Sequence, residues 1–194
     1  MLHSSLNKRK TPTMAKFTMD MVLEYAKVFE ENRDMGNDDN KAAKKNKLHN
    51  GQYAVNAYFT DPAQIEELLQ GGLEPEFSGN PRIKQGSDFG IGKFMKLGRY
   101  HDHVMNFTDK NGKQTEVDFG GKPAVVNLTN GVENKAWWSF DNDGTLGNGT
   151  KAKVQFETYS NGAGVRLIAI GVTDHVAWED NSAPSEDDQL FMVG

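Results

Sequence analysis

The most constraining feature of the chain lies between residues 151 and 176. Ala152, Val154, Phe156 and Thr158 alternate with Lys151, Lys153, Gln155 and Glu157, the period of two that puts one side of a strand in a core and the other in water. The turn Ser160-Asn161-Gly162-Ala163-Gly164 follows, and then Val165 to Val176, a run with apolar residues at both parities (Leu167, Ala169; Ile168, Ile170). A run of that kind predicts a central strand covered on both faces. A hairpin cannot bury such a surface alone, so the rest of the chain must supply the sheet around it.

The remaining segments fit that demand. Tyr53, Val55, Ala57 and Phe59 predict a strand, as do Phe89 to Leu97 and Ala124 to Leu128. Val104–Phe107 and Thr115–Phe119 predict a hairpin around Asp109-Lys110-Asn111-Gly112. Asp61-Pro62 starts a short helix over 63–69 and Gly71-Gly72 ends it. Residues 17–34 carry both a helical stripe (Val22, Tyr25, Ala26, Phe29) and strand-like positions (Tyr25, Val28, Phe29), and the sequence leaves the choice open. Residues 36–50 predict a polar, mobile loop. The chain has 20 Gly against 6 Pro, as expected where tight turns join many strands. Short strands at this spacing predict a mainly all-β domain, a closed barrel or a sandwich, over residues 17–178. A flexible arm (1–16) precedes it and an acidic tail (179–194) follows.

Several chemistries are set aside by composition. Without cysteine there is no disulfide framework, thiol nucleophile or cysteine-bound zinc, and a reducing cytoplasm fits. No apolar run nears the ~20 residues that span a bilayer, and Lys8-Arg9-Lys10 lacks the apolar stretch of a secretory signal. It reads as a basic arm, or as sequence ahead of a start at Met14. Gly90-Ile91-Gly92-Lys93 is not a phosphate loop, because Ser87 and Phe94 occupy positions that need Gly and Ser or Thr. Asp141-Asn142-Asp143-Gly144 is not a calcium loop, because position 12 is Ala152. His101 and His103 lack a third metal ligand. No hydrolytic motif appears, so the expectation is a binding protein without enzymatic activity, cofactor or metal.

The net charge of -5 hides a strong polarity. Between Pro81 and Tyr100 lie Arg82, Lys84, Lys93, Lys96 and Arg99 against Asp88 alone, interleaved with Phe89, Phe94 and Tyr100. Spaced cations with flat rings are what a single nucleic-acid strand needs, for its phosphates and its unstacked bases. Trp137 and Trp138 beside Lys135 add a stacking candidate, one tryptophan anchoring the core while the other points away. Lys151 and Lys153, with Arg166 in the next strand, add cations. From Glu179 onward there are five acids and no Lys or Arg, yet the chain ends on Leu190-Phe191-Met192-Val193. Glu186, Asp187, Asp188 and Phe191 therefore predict a tail that a basic, apolar pocket on a partner protein captures, or that competes with DNA for the cationic groove.

The stretches GQYAVNAYFTDPAQIEELL (51–69), GIGKFMKLGRY (90–100) and WWSFDNDGTLGNGTKAKVQFETYSNGAGVRLIAIGVTDHV (137–176) resemble the single-stranded DNA-binding proteins of tailed bacteriophages, especially marine ones. The resemblance implies an OB-fold, closed or partly open, with one or two short helices. It also implies sequence-tolerant binding of single-stranded DNA in replication, recombination and repair within the infected host's cytoplasm. The acidic tail would contact the phage DNA polymerase or helicase-primase, and the protein would form a homodimer without touching membrane. The chain departs from the best-known members in that Phe191 is not terminal. The alternative from another class is a β-sandwich carbohydrate-binding or structural virion module; RNA binding by the same barrel is a third.

Overall fold

The computed structural model describes residues 14–108 and 111–178. Its organising element is β1 (Ala15–Lys27). Phe17, Met19, Met21 and Leu23 are buried while Lys16, Thr18 and Asp20 are exposed, so period two decides in favour of a strand. The helical stripe has a physical origin. A bulge between Glu24 and Lys27 shifts the register, after which Ala26, Val28 and Phe29 become the buried positions. That phase change imitates a spacing of three to four. Tyr25 takes the extra position at φ +51°, and its N–H donates to Asn148 Oδ1 at 2.8 Å.

Along the chain follow α1 (Lys41–Leu48), β2 (Gln52–Phe59), α2 (Pro62–Gln70), β3 (Glu76–Phe77), β4 (Asn80–Pro81), β5 (Ile83–Gln85) and β6 (Lys93–Tyr100). Then come β7 (Val104–Thr108), β8 (Gln114–Asp118), β9 (Ala124–Asn127), β10 (Ala136–Trp137), α3 (Phe140–Asp143), β11 (Lys151–Tyr159) and β12 (Gly164–Asp174). The molecule is mainly β. An eight-stranded mixed sheet runs β10-β9-β12-β11-β1-β2-β6-β5, with β3/β4 and β7/β8 as separate hairpins. Every pair in the large sheet is antiparallel except β12 with β9. The sheet curls until β12 comes alongside β6, yet its ends at β10 and β5 stay unpaired with each other. The expected closed barrel is therefore not formed: the hydrogen-bond ladder is open.

Inside the curl, Phe17 stacks on Phe156 with centroids 5.5 Å apart, and Leu23, Val55, Phe59, Leu97, Val154, Leu167 and Ile170 are fully enclosed. Each such side chain contributes about 1.5–3 kcal/mol by burial. β12 lies between β11 and β9 in the sheet, the central place its apolar pattern demands. α2 begins as expected: Asp61 accepts from Ala63 N–H, and Gln64 reaches back to the cap. Its Leu68 plugs one end of the core.

Three expectations change. Residues 41–48 are a helix inside the predicted loop, started by the Asn40 side chain accepting from Ala43 N–H at 3.0 Å and anchored by buried Asn46, which donates to Asp34 Oδ2 at 3.1 Å. With α2 and α3 this makes three α-helices among the described residues, rather than one or two. The strand expected from Phe89 starts at Lys93, because residues 86–92 fold into a loop pinned by Ile91 N–H donating to Phe59 O at 2.9 Å. Residues 1–13 and the whole tail lie outside the described residues. Among those described, no helix is long and apolar enough to cross a membrane.

The turn 160–163 is locked to the segment after α2. Glu74 N–H donates to Gly162 O at 3.3 Å, and a Cβ on Gly162, at φ +88°, would sit 1.8 Å from Gly72 O. Gly162→Ala should cost about 1–3 kcal/mol from backbone strain alone, with the clash adding to it. Gly72→Ala, at φ +93° but in open space, should cost less. Urea denaturation of both variants checks the order, and equal losses would contradict the close approach.

Candidate functional site

Where the end of β6 faces the start of β12, the curled sheet leaves a cavity of about 500 Å³. Strand alternation explains part of its wall. Lys96, Gly98 and Tyr100 share the outer face of β6, opposite Met95 and Leu97, which are buried in the core. Arg99 belongs to the core-facing parity, but it stands past the end of the core and turns to Gly120, whose carbonyl accepts from Nε at 2.8 Å and from Nη2. β12 contributes Arg166, α1 contributes Lys45, and the segment after β4 contributes Arg82. Rings complete the lining: Phe77, Tyr100, His103, Phe119 and Tyr159. Among the described residues, five cations line the cavity and no carboxylate does.

The three guanidiniums are held rather than loosely solvated. The Arg82 guanidinium lies 4.6 Å from the Phe77 ring centroid and donates to Ala163 O, which ties the β3/β4 hairpin to the 160–163 turn across the cavity's edge. Burial lowers its pKa from the ordinary arginine value. Burial also lowers that of Arg99, with neighbouring Arg166 adding to the effect. Arg166 lies 4.2 Å from the Phe119 centroid and pairs with Glu157, which is almost completely enclosed. Tyr100 is stacked on His49, centroids 4.3 Å apart, with the Lys45 ammonium 5.3 Å from its ring. Burial, then His49 and Lys45, push His103 below its ordinary pKa. Among the described residues, Arg82 Nε, Arg166 Nε and His103 Nδ1 are buried without a hydrogen-bond partner.

Clustered guanidiniums with one counter-ion among the described residues are costly to assemble, and an anion in the cavity would offset that cost. Arginine donors suit phosphate oxygens, and the rings offer flat apolar faces. Such a wall can take a phosphate and a base together.

Of the residues singled out by sequence, this cavity gathers Arg82, Lys96, Arg99, Tyr100 and Arg166. The others lie elsewhere. Lys84 and Lys93 are exposed around the opposite end of β6, where Phe94 packs on Tyr58 at 5.0 Å. Lys151 pairs with Asp174 at 3.0 Å and Lys153 with Asp20 at 2.8 Å. They precede Tyr159 by eight and six positions in β11, roughly 27 and 20 Å along the strand. Trp138 is the core anchor, its Nε1–H donating to Gly144 O at 2.9 Å, while Trp137 is 75% exposed on the edge strand β10; neither borders the cavity. The two histidines diverge, His101 bonding Tyr53 Oη at 2.8 Å and His103 facing the cavity. Among the described residues no group of three or more His, Asp or Glu could hold a metal. Glu186, Asp187, Asp188 and Phe191 lie outside the described residues.

Sequence reasoning missed Lys45, Phe77, His103, Phe119 and Tyr159. For Lys45 a signal existed, in the Asn40 cap ahead of the helix-forming KAAKKNK. The rings sit at strand ends, and nothing local marks which end faces the cavity. No protein-family model, curated protein or solved structure matches the chain.

Arg166→Ala should leave Glu157 buried and unpaired, a loss of about 3–5 kcal/mol in urea denaturation. Replacing both partners, as Arg166→Met with Glu157→Gln, should restore much of that stability. A stable Arg166→Ala protein would mean that the pair is solvated.

Proposed function

We propose that this chain is a non-enzymatic, sequence-tolerant single-stranded DNA-binding protein of OB type, serving phage DNA replication, recombination and repair. The observation that carries the reading is the cavity itself: among the described residues, five cationic side chains and several rings converge there with no carboxylate, in a chain whose net charge is -5. A single strand offers phosphates to the cations and bases to rings such as Tyr100 and Tyr159.

The strand order supports it. Within the larger sheet, β12-β11-β1-β2-β6 is a meander of β1, β2 and β6 extended by a hairpin of β11 and β12. The ladder directions make β6 and β12 parallel where they approach. This order is consistent with the plan of a five-stranded, partly open OB barrel, in which the connections after the first and fourth strands flank the ligand. Here those connections hold α1 and the 160–163 turn, and both border the cavity. The phage-type resemblance adds the rest of the proposal: an acidic tail that recruits the polymerase or helicase-primase, a homodimer, and work in the host cytoplasm.

Lys45 and Lys96 are exposed, so replacing them should leave the fold intact. With Lys45→Ala and Lys96→Ala combined, the salt slope for a labelled thymidine oligomer should flatten by about 1.4, at roughly 0.7 per phosphate contact. Lys151→Ala with Lys153→Ala should leave it unchanged. Tyr100→Ala should lose about 1–3 kcal/mol of binding. Fluorescence anisotropy at several salt concentrations reads all three. Equal effects from the two lysine pairs would remove the cavity from the interface, and binding of a soluble glycan instead of DNA would favour the sugar-binding alternative.

A further inference from the structure

We infer that α1 is a second part of the nucleic-acid surface, a basic ramp along which the strand leaves the cavity; the inference rests on the single-strand-binding reading. Lys41, Lys44, Lys45 and Leu48 line one shallow depression on the outer side of the helix. Their spacing of i, i+3, i+4 and i+7 puts them on a single face. The opposite side is used up by the fold: Asn46 is buried against Asp34, and a Cβ on Gly36 would strike Ala43 O. The stripe is thus aimed at solvent by construction, and Leu48 at its end is 83% exposed.

Two observations direct the stripe at a polyanion continuous with the cavity. Lys45 belongs to both surfaces, and a groove along the other side of α1, bordered by Asn40, Ala43, Lys45, Asn46, Lys96 and Tyr100, meets the cavity at Lys45, Lys96 and Tyr100 and the stripe at Asn40 and Lys45. Asp34, which also borders that groove, is already engaged by Asn46 Nδ2 and by Gly36 N–H. In addition, α1 does not neutralise its own stripe. Lys47, off the stripe, pairs with Asp38 at 2.6 Å, whereas Lys41 and Lys44 form no ion pair among the described residues. Lys41 to Leu48 rises about 10 Å along the axis. Phosphates leaving the cavity past Lys96 and Lys45 meet Lys44 and Lys41 next, and Leu48 offers an apolar surface to a base. The helix lengthens the site and adds affinity only to strands long enough to reach it.

The test is length dependence. Thymidine oligomers of roughly 4 to 16 nucleotides are titrated with the full chain and with Lys41→Ala/Lys44→Ala, which alanine's helix propensity keeps folded, as circular dichroism verifies. The expected result is unchanged affinity for the shortest oligomers and weakened affinity for the long ones. On the long ones the wild-type advantage should shrink about seven-fold between about 50 and 200 mM salt, from two lost contacts at roughly 0.7 each. Loss at every length alike, or at none, overturns the ramp while leaving the cavity reading standing. A wild-type protein that binds no oligomer of any length overturns the function reading, and the ramp with it. Lysine-dependent binding to phosphatidylserine vesicles, with oligomer binding unaffected, overturns the ramp in favour of a membrane surface.

Discussion

The structure depends on the two-sided pairing of β1. It is hydrogen-bonded along one edge to β11, from the far end of the chain, and along the other to β2. Its odd-numbered residues from Phe17 to Leu23 face the inside of the curl. This brings residues 15–27 and 151–174 into one sheet around a shared core, and the right-handed twist of the sheet carries β12 round to β6. The bulge at Tyr25 lets β1 serve both neighbours: the strand bends there and changes which residues it buries. The cavity follows from that curl. It occupies the place where the ladder fails to close, so the open seam and the cationic wall are one feature.

Charge placement follows a similar logic. An acidic chain can present a positive surface only by sorting its charges, and here the sorting is visible in pairs. Outside the cavity Lys151, Lys153 and Lys47 face carboxylates. Inside it, the carboxylate partner is Glu157, enclosed behind Arg166. The remaining guanidiniums are held by backbone carbonyls and ring faces. Such partners fix position without cancelling charge, so the cavity keeps a positive field of the kind that concentrates an anionic ligand.

Much of this was legible in the residues, and the parts that were not share a cause. Alternation over 151–158 and 53–59, the Asp61 cap and the doubly apolar 165–176 run are local patterns, and they correspond to β11, β2, α2 and β12. The basic segment 81–100 was visible as charge, but β6 distributes it along its length: Lys96, Arg99 and Tyr100 reach the cavity, whereas Lys93 and Phe94 lie toward the other end. Which end matters depends on where β12 arrives, a contact separated by about 70 positions in sequence. Lys151 and Lys153 looked like free cations because their partners, Asp174 and Asp20, come from other strands. Helix α1 was hidden because residues 36–50 carry no apolar stripe, although the Asn40 cap and KAAKKNK favour a helix and its packed side needs only Ala43 and Asn46.

The wild-type protein's own salt dependence on a short thymidine oligomer tests phosphate binding in the cavity most directly. If five cavity cations meet phosphates, the logarithm of the association constant should fall linearly with the logarithm of salt concentration, with a slope of about -3.5. A slope near zero, or no association at all in dilute buffer, would contradict it.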